Sequence, residues 1–262
     1  AASDMAAAPT TAAAESPAPP RGIAGWDVGS DGGDTGQPAL RGLQAVQTPP
    51  PARLAYTVTV DTGTAPQAAG EATLEWRTGD DGYRLLLGGD SGVMGELESR
   101  GHFTDAGFVP EQVGGADAVS FDWAAARASF SRSGASVAVG RDGQDRASML
   151  MRLAGIGLAG AHQLDGGIEL QVAGAEGVAR VRFENLGEET LASPLGPLLT
   201  VHLRQQERAP QPGTAGQPSK PAPRLEIWFA PALSWYPVQL RLTAADGSVV
   251  TQAISAIEKT PP

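Results

Sequence analysis

The chain has 262 residues, with 34 glycines and 21 prolines, about a fifth of the total against about an eighth in average usage. Charged residues make up 18% and aromatic ones 5%, which excludes a highly charged disordered chain and a long coiled coil. The formal net charge of −10, with no Lys/Arg cluster to offset it, disfavours nucleic acid as a partner. No apolar run approaches the 18 or so residues of a membrane span, and the absence of cysteine removes disulfides, thiolate catalysis and Cys-type zinc sites together.

Residues 1–50 differ in composition from the rest. An Ala/Pro/Thr/Ser-rich opening, AASDMAAAPTTAAAESPAPPRG, is followed by GWDVGSDGGDTGQPALRG, and neither has strand or helix periodicity. Neither buries enough apolar surface to offset its ordering entropy, so residues 1–50 are expected to be a disordered tether. The small residues at the start are those of a mature chain after leader removal, an expectation that places the protein outside the cytoplasm.

Residues 51–260 read as one β-rich domain. Leu54, Tyr56, Val58 and Val60 alternate with Ala55, Thr57 and Thr59; Ala72, Leu74 and Trp76 repeat the pattern, and Tyr83, Leu85 and Leu87 follow the turn at Asp80–Asp81. This period of two is the signature of half-buried strands. Further runs are expected at 93–99, 101–105, 108–113, 119–124, 127–132, 135–140, 167–172, 178–184, 197–205, 224–230, 237–243 and 248–257, divided by Gly/Asp turns. Trp76 and Trp123 are expected in the core. One helix is expected at 144–155, with Asp145 as N-cap, Met149, Leu150 and Leu153 as its apolar stripe, and Gly155 as its stop. Residues 207–223, rich in proline, are expected to form a disordered loop between two strands. The fold class is therefore all-β: a curved antiparallel sheet, half-open barrel or sandwich of about 11–14 strands with one short helix.

Three motifs suggest chemistry and are better explained by structure. Gly155-Ile-Gly157-Leu-Ala-Gly160 matches GxGxxG, but a helix precedes it and a strand follows, the reverse of a dinucleotide site, so helix termination plus a turn is expected. His102, His162 and His202 are too far apart for a local metal pair and no GxSxG elbow accompanies them; His202 is placed on the polar face of its strand. Asp27, Asp31 and Asp34 have glycine spacing that suits calcium but lack the EF-hand pattern, so a solvated linker is expected. Glu188 and Glu189 read as loop charges. No catalytic residue, metal ligand or cofactor is assigned.

The ligand site expected from the aromatic pattern lies at Trp228, which faces opposite Leu225, Ile227 and Phe229, with Trp235 and Tyr236 nearby and Gln239 and Arg241 as a polar rim. Capping of that face by the helix or by the proline-rich insert is the competing explanation.

The order of YRLLLGGDSGVMGELESRGHFTDAGFVPEQ, FDW, GQDRASMLMRL and SPLGPLLTVHLRQ, then LEIWFAPALSWYPVQLRL and DGSVVTQAI, resembles the bacterial domain-of-unknown-function 3108 family over about residues 52–258. Its most specific parts are Gln144-Asp145 and the block from Trp228-Phe229-Ala230-Pro231 to Tyr236-Pro237-Val238. The resemblance implies an exported, periplasmic envelope protein with a curved β-structure like the half-open barrels of lipoprotein carriers, and it carries over no catalytic residues. The expected function is a non-catalytic, monomeric module that binds an acyl chain, a lipoprotein or an envelope polymer. The alternatives are an envelope hydrolase with an unassigned Ser/His/Asp site, and a structural adaptor.

Overall fold

The computed structural model describes residues 26–28, 44–206 apart from 81, 90, 106, 116 and 176, and 222–259. Alternating residues build strands β1 (Ala52–Asp61), β2 (Gln67–Gly79), β3 (Gly82–Gly88), β4 (Leu97–Thr104), β5 (Gly107–Gly114), β6 (Val119–Asp122), β7 (Arg127–Phe130) and β8 (Ser136–Ala138). The two-residue β9 (Gln144–Asp145) leads into helix α1 (Ser148–Ala159). There follow β10 (Ile168–Ala173), β11 (Val178–Leu191), β12 (Leu198–Gln205), β13 (Arg224–Ala230), β14 (Tyr236–Thr243) and β15 (Val249–Lys259).

All fifteen strands form one sheet, in the order β8-β7-β6-β5-β4-β3-β2-β1-β15-β14-β13-β12-β11-β10-β9. Every pair is antiparallel except β9 with β10, which makes the sheet mixed. The sheet is open, with β8 and β9 as its edges; it is neither a closed barrel nor a sandwich. The count exceeds the expected range by one; β9, which no expected run covers, is two residues long, too short to show a period.

Register shifts at Ala55/Tyr56, Val58/Thr59, Arg100/Gly101 and Trp228/Phe229 bend the strands, since an extra residue on one strand increases local twist. The inward set is the one the alternation specifies: Leu54, Tyr56 and Val58; Ala72, Leu74 and Trp76; Tyr83, Leu85 and Leu87 are all buried. Trp76, Tyr83, Phe103 and Phe108 pack as one aromatic cluster with ring centroids 5.2–6.4 Å apart. Trp123 departs from expectation: it is half-buried, stacked on Phe121 and donating its indole N–H to the Pro110 carbonyl at 2.6 Å. The run at 93–99 also departs, for residues 91–96 form a loop in which Val93 and Met94 are buried without strand alternation.

Helix α1 packs with ten of its twelve residues buried, including Arg152, which is 1% exposed. Burial lowers the Arg152 pKa, and the nearby Asp142 opposes that shift. β9 delays the helix start to Ser148 and the N-cap position falls to Ala147, not to Asp145 as expected, but the start is still served by Asp145. Its Oδ1 accepts the amides of Ala147 (2.8 Å) and Ser148 (2.9 Å), while Ser148 Oγ accepts the Asp145 amide at 3.0 Å. This reciprocal pairing satisfies donors that have no partner within the helix.

Gly155 does not stop the helix, which runs through Gly155 and Gly157 to Ala159. Each helical glycine costs about 0.5–1 kcal/mol relative to alanine, so something must require it. A Cβ on Gly155 would lie 2.7 Å from the Gln47 carbonyl oxygen, and one on Gly157 would lie 2.1 Å from Trp235 Cε3. The GxGxxG run is thus a helix face shaved for close approach, and only Gly160 acts as the terminator.

The stretch expected as a tether contains two segments bonded to the domain. Residues 44–50 run along the helix: the Gln47 amide donates to the Gly155 carbonyl at 3.0 Å, and Gln163 bonds both polar groups of the Ala45 backbone. Trp76 and Tyr236 donate to the carbonyls of Pro49 (2.9 Å) and Pro50 (2.6 Å). Trp26 is completely buried. The remainder of residues 1–50, with Asp31 and Asp34, lies outside the described residues, as do residues 207–221 of the proline-rich loop and Asp81.

Candidate functional site

The strand alternation divides the five residues of the expected ligand patch between two faces. Trp228 on β13 pairs with His202 on β12 and Gln239 on β14, and Glu226 pairs with Arg204 and Arg241. These side chains share the face opposite to the core set of Leu203, Leu225, Ile227, Phe229, Leu240 and Leu242. Tyr236 and Trp235 belong to the core side, where the Tyr236 hydroxyl bonds Pro50 and the Trp235 indole lies against Gly157. Burial holds the Tyr236 pKa up at about 12.

Trp228 is only 2% exposed, and among the described residues its cover comes from its strand neighbours. Its cover is local. The His202 imidazole stacks on the indole with centroids 4.0 Å apart and planes 18° from parallel, and the Arg241 guanidinium lies over the ring at 5.0 Å. The indole N–H donates to the Glu189 carboxylate, which also sits 3.2 Å from His202 Nδ1. Glu226 is held between Arg241 (3.6 Å) and Arg224 (3.8 Å). Helix α1 packs on the opposite face, so it is not the cover either. The sequence reading missed His202 and Glu189 as Trp228's partners; a histidine in register with a tryptophan on the next strand was the available signal.

Burial is the main influence on His202 and lowers its pKa, against the opposing pull of Glu226 and Glu189, while Arg241 and Arg204 add to the lowering. A histidine whose folded pKa lies below its unfolded value binds fewer protons folded than unfolded in the window between the two. Its contribution to stability is therefore complete above about pH 6.5 and falls as pH drops through that window. The pH dependence of urea midpoints between pH 7.5 and 5 should accordingly be shallower in His202→Phe, which keeps a flat ring on Trp228 without a titrating group. An unchanged slope assigns the dependence to other groups.

The other histidines stand apart from this cluster. His102 is half-buried and 2.8 Å from Glu111, and His162 is exposed beyond the helix end. No group of three or more His, Cys, Asp or Glu residues suited to a metal occurs among the described residues. Asp27 spends its Oδ1 on the amides of Val28 (2.8 Å) and Ala175 (3.0 Å). No described helix is long and apolar enough to cross a membrane.

The second candidate is the interior. The concave face of the sheet and helix α1 enclose one continuous apolar core. The strand directions place the loops after β3, β10 and β12 and the start of α1 at one end of that interior. A void of about 10 Å³, room for about one water, remains between Leu74, Leu87, Met94, Leu150, Leu240 and Gln252 beneath the loop at residues 91–96. Trp26 stands among the same loops. Its amide donates to the Val93 carbonyl at 2.8 Å, its indole N–H to Gln205 Oε1 at 2.9 Å, and its carbonyl accepts from Arg146 Nη1 at 2.7 Å.

The architecture is similar to that of a solved β-barrel-like protein of the domain of unknown function DUF1849 from Brucella abortus, at 12% identity and a TM-score of 0.50 over 83% of this chain and all of that one. Looser matches include the hypothetical lipoprotein YmcC from Escherichia coli K12, at 12% identity and TM-score 0.32 over 82% of this chain and 90% of that one. The lipoprotein LppX from Mycobacterium tuberculosis follows at 12% identity and TM-score 0.26 over 80% and 88%. No curated protein matches the chain. The family described as "Protein of unknown function (DUF3108)" matches residues 55–254, and the chain belongs to that family.

Proposed function

We propose that this protein is a non-catalytic binding module of a bacterial periplasm, which receives the acyl chain of a lipid or lipoprotein inside its curved sheet. The observation that carries this reading is the construction of the interior: an apolar helix lies within an open sheet, and one end is stopped by a loop and by Trp26 instead of by strand pairing. A closed barrel would need to break strands to admit a chain; here only side chains and a loop move. The outer face at Trp228 supports binding less well, because the indole is already covered by His202 and Arg241. An acyl chain gains about 0.8 kcal/mol per buried methylene, so twelve methylenes contribute about 10 kcal/mol against association costs of several kcal/mol or more.

The test is direct. Protein stripped of lipid is incubated with phosphatidylethanolamine/phosphatidylglycerol vesicles, separated from them, and extracted for mass spectrometry. Acyl lipid at close to one molecule per protein is the expected result. Lipid at the background level of an unrelated protein treated alike would overturn the reading.

A further inference from the structure

Residues 26–28 belong to no strand, yet Trp26 has no exposed surface. Burying an indole is worth several kcal/mol only where a socket already exists, and this one is assembled from distant parts of the chain. Val93 comes from the loop after β3, Gln205 from the end of β12 and Arg146 from the turn into α1. Asp27 adds a fourth tie, accepting the Ala175 amide at the turn after β10. The loop that holds Trp26 through Val93 also lines the interior void with Gly92, Met94 and Gly95, and Gln252 at the void's edge accepts the Val93 amide at 3.0 Å.

The polar lining of the socket is specific in its chemistry. Arg146, 8% exposed, offers a hydrogen bond that a neutral carbonyl now accepts, and Asp117 Oδ2 stands 4.0 Å from its Nη2. That carboxylate lies closer to Arg132, at 2.5 Å, and it is the net charge of −10 on the whole chain that favours a neutral acceptor over an anion. An apolar body joined to a neutral carbonyl is what Trp26 presents, and it is also what an acyl ester presents.

We propose that the Trp26 socket is the port for an acyl ester: Trp26 occupies it in the free protein, and the ligand's chain displaces the indole while its ester carbonyl takes the hydrogen bond of Arg146. The proposal rests on the acyl-chain reading given above and names its location and headgroup chemistry. Because Trp26 competes in the same chain, the affinity measured for a ligand is reduced by the fraction of molecules whose socket is open. Removing the indole removes that competition.

The experiment titrates the full chain and Trp26→Ala with 1-monooleoylglycerol and, separately, with oleate of the same chain length. Chymotryptic cleavage after Trp26 is followed in the unmodified protein with and without the ester. The expected result is saturable ester binding that tightens at least tenfold in Trp26→Ala, ester preferred over oleate, and cleavage after Trp26 that accelerates several-fold when ester is present. The cleavage arm needs no variant, so it decides the matter even if Trp26→Ala folds poorly. Ester binding with unchanged cleavage, or equal affinities in two folded proteins, overturns the socket and leaves the acyl-chain reading standing. A preference for oleate overturns the role given to Arg146. Absence of binding by either protein overturns the acyl-chain reading and the socket with it.

Discussion

Replacing Asp145 by alanine should destabilise the protein by about 3–5 kcal/mol, most of the stability of an ordinary domain. The carboxylate is 1% exposed and serves three donors at once: the amides of Ala147 and Ser148 through Oδ1, and the Ser99 hydroxyl through Oδ2 at 2.6 Å. Ser99 in turn lies 3.3 Å from the Tyr83 hydroxyl, within the aromatic cluster. Alanine leaves the two helix amides buried without an acceptor, at about 1–3 kcal/mol each, while the Ser99 hydroxyl keeps only its longer contact with Tyr83. Burial and the neighbouring Asp145 charge hold the Tyr83 phenol far above its ordinary range, so it stays neutral in either variant. Asp145→Asn retains the carbonyl for both helix amides and presents an N–H₂ that the Ser99 oxygen can accept, so its cost should be about 1–2 kcal/mol. Urea unfolding followed by circular dichroism gives both values. An Asp145→Ala protein within about 1 kcal/mol of the original would mean that the helix start is not anchored by this carboxylate.

Gly157→Ala should reverse the usual sign of a helical substitution. In a helix interior alanine is favoured over glycine by about 1 kcal/mol. Here the new methyl would lie 2.1 Å from Trp235 Cε3 and 2.4 Å from Cζ3, and overpacking of that kind costs about 1–3 kcal/mol. The indole cannot easily retreat. Trp235 has a φ of +60° and the preceding Ser234 one of +55°, a backbone conformation that bulky residues avoid, and the Trp235 amide donates to the Ala230 carbonyl at 3.0 Å. A net loss of up to about 2 kcal/mol is expected once the propensity gain is set against that cost. In a Trp235→Ala background the same substitution should become neutral or stabilising, because the helix propensity is then unopposed. The double-mutant cycle measures that change of sign as a coupling of about 2–3 kcal/mol. Additive effects would show that helix and turn do not press on each other at this point.

Both residues show where local pattern sufficed and where it did not. The inward set of β1 to β3 was legible because a strand's faces are decided by a period of two, a property of six or seven consecutive residues. Asp145 was legible for a similar reason: a helix N-terminus needs an acceptor within three residues, and the chain offers one. The same local reasoning misread Gly155 and Gly157. A glycine that stops a helix and one that admits a neighbour look alike in sequence, and the neighbours, Gln47 and Trp235, lie about a hundred residues away on one side and about eighty on the other.

By itself the sequence determined the class of the fold, the presence of one helix after Gln144-Asp145 and the resemblance to its family. Only the tertiary structure decided that the sheet stays open, that Trp228 is covered by its own strand neighbours, and that Trp235 and Tyr236 turn to the other side. It also decided that Trp26, within a stretch whose composition argues for disorder, is buried. The reason is physical: composition measures whether a segment can build a core from its own residues, and Trp26 uses a socket built by others. Its partners Arg146 and Gln205 stand 120 and 179 positions along the chain, so nothing near residue 26 records that the socket exists.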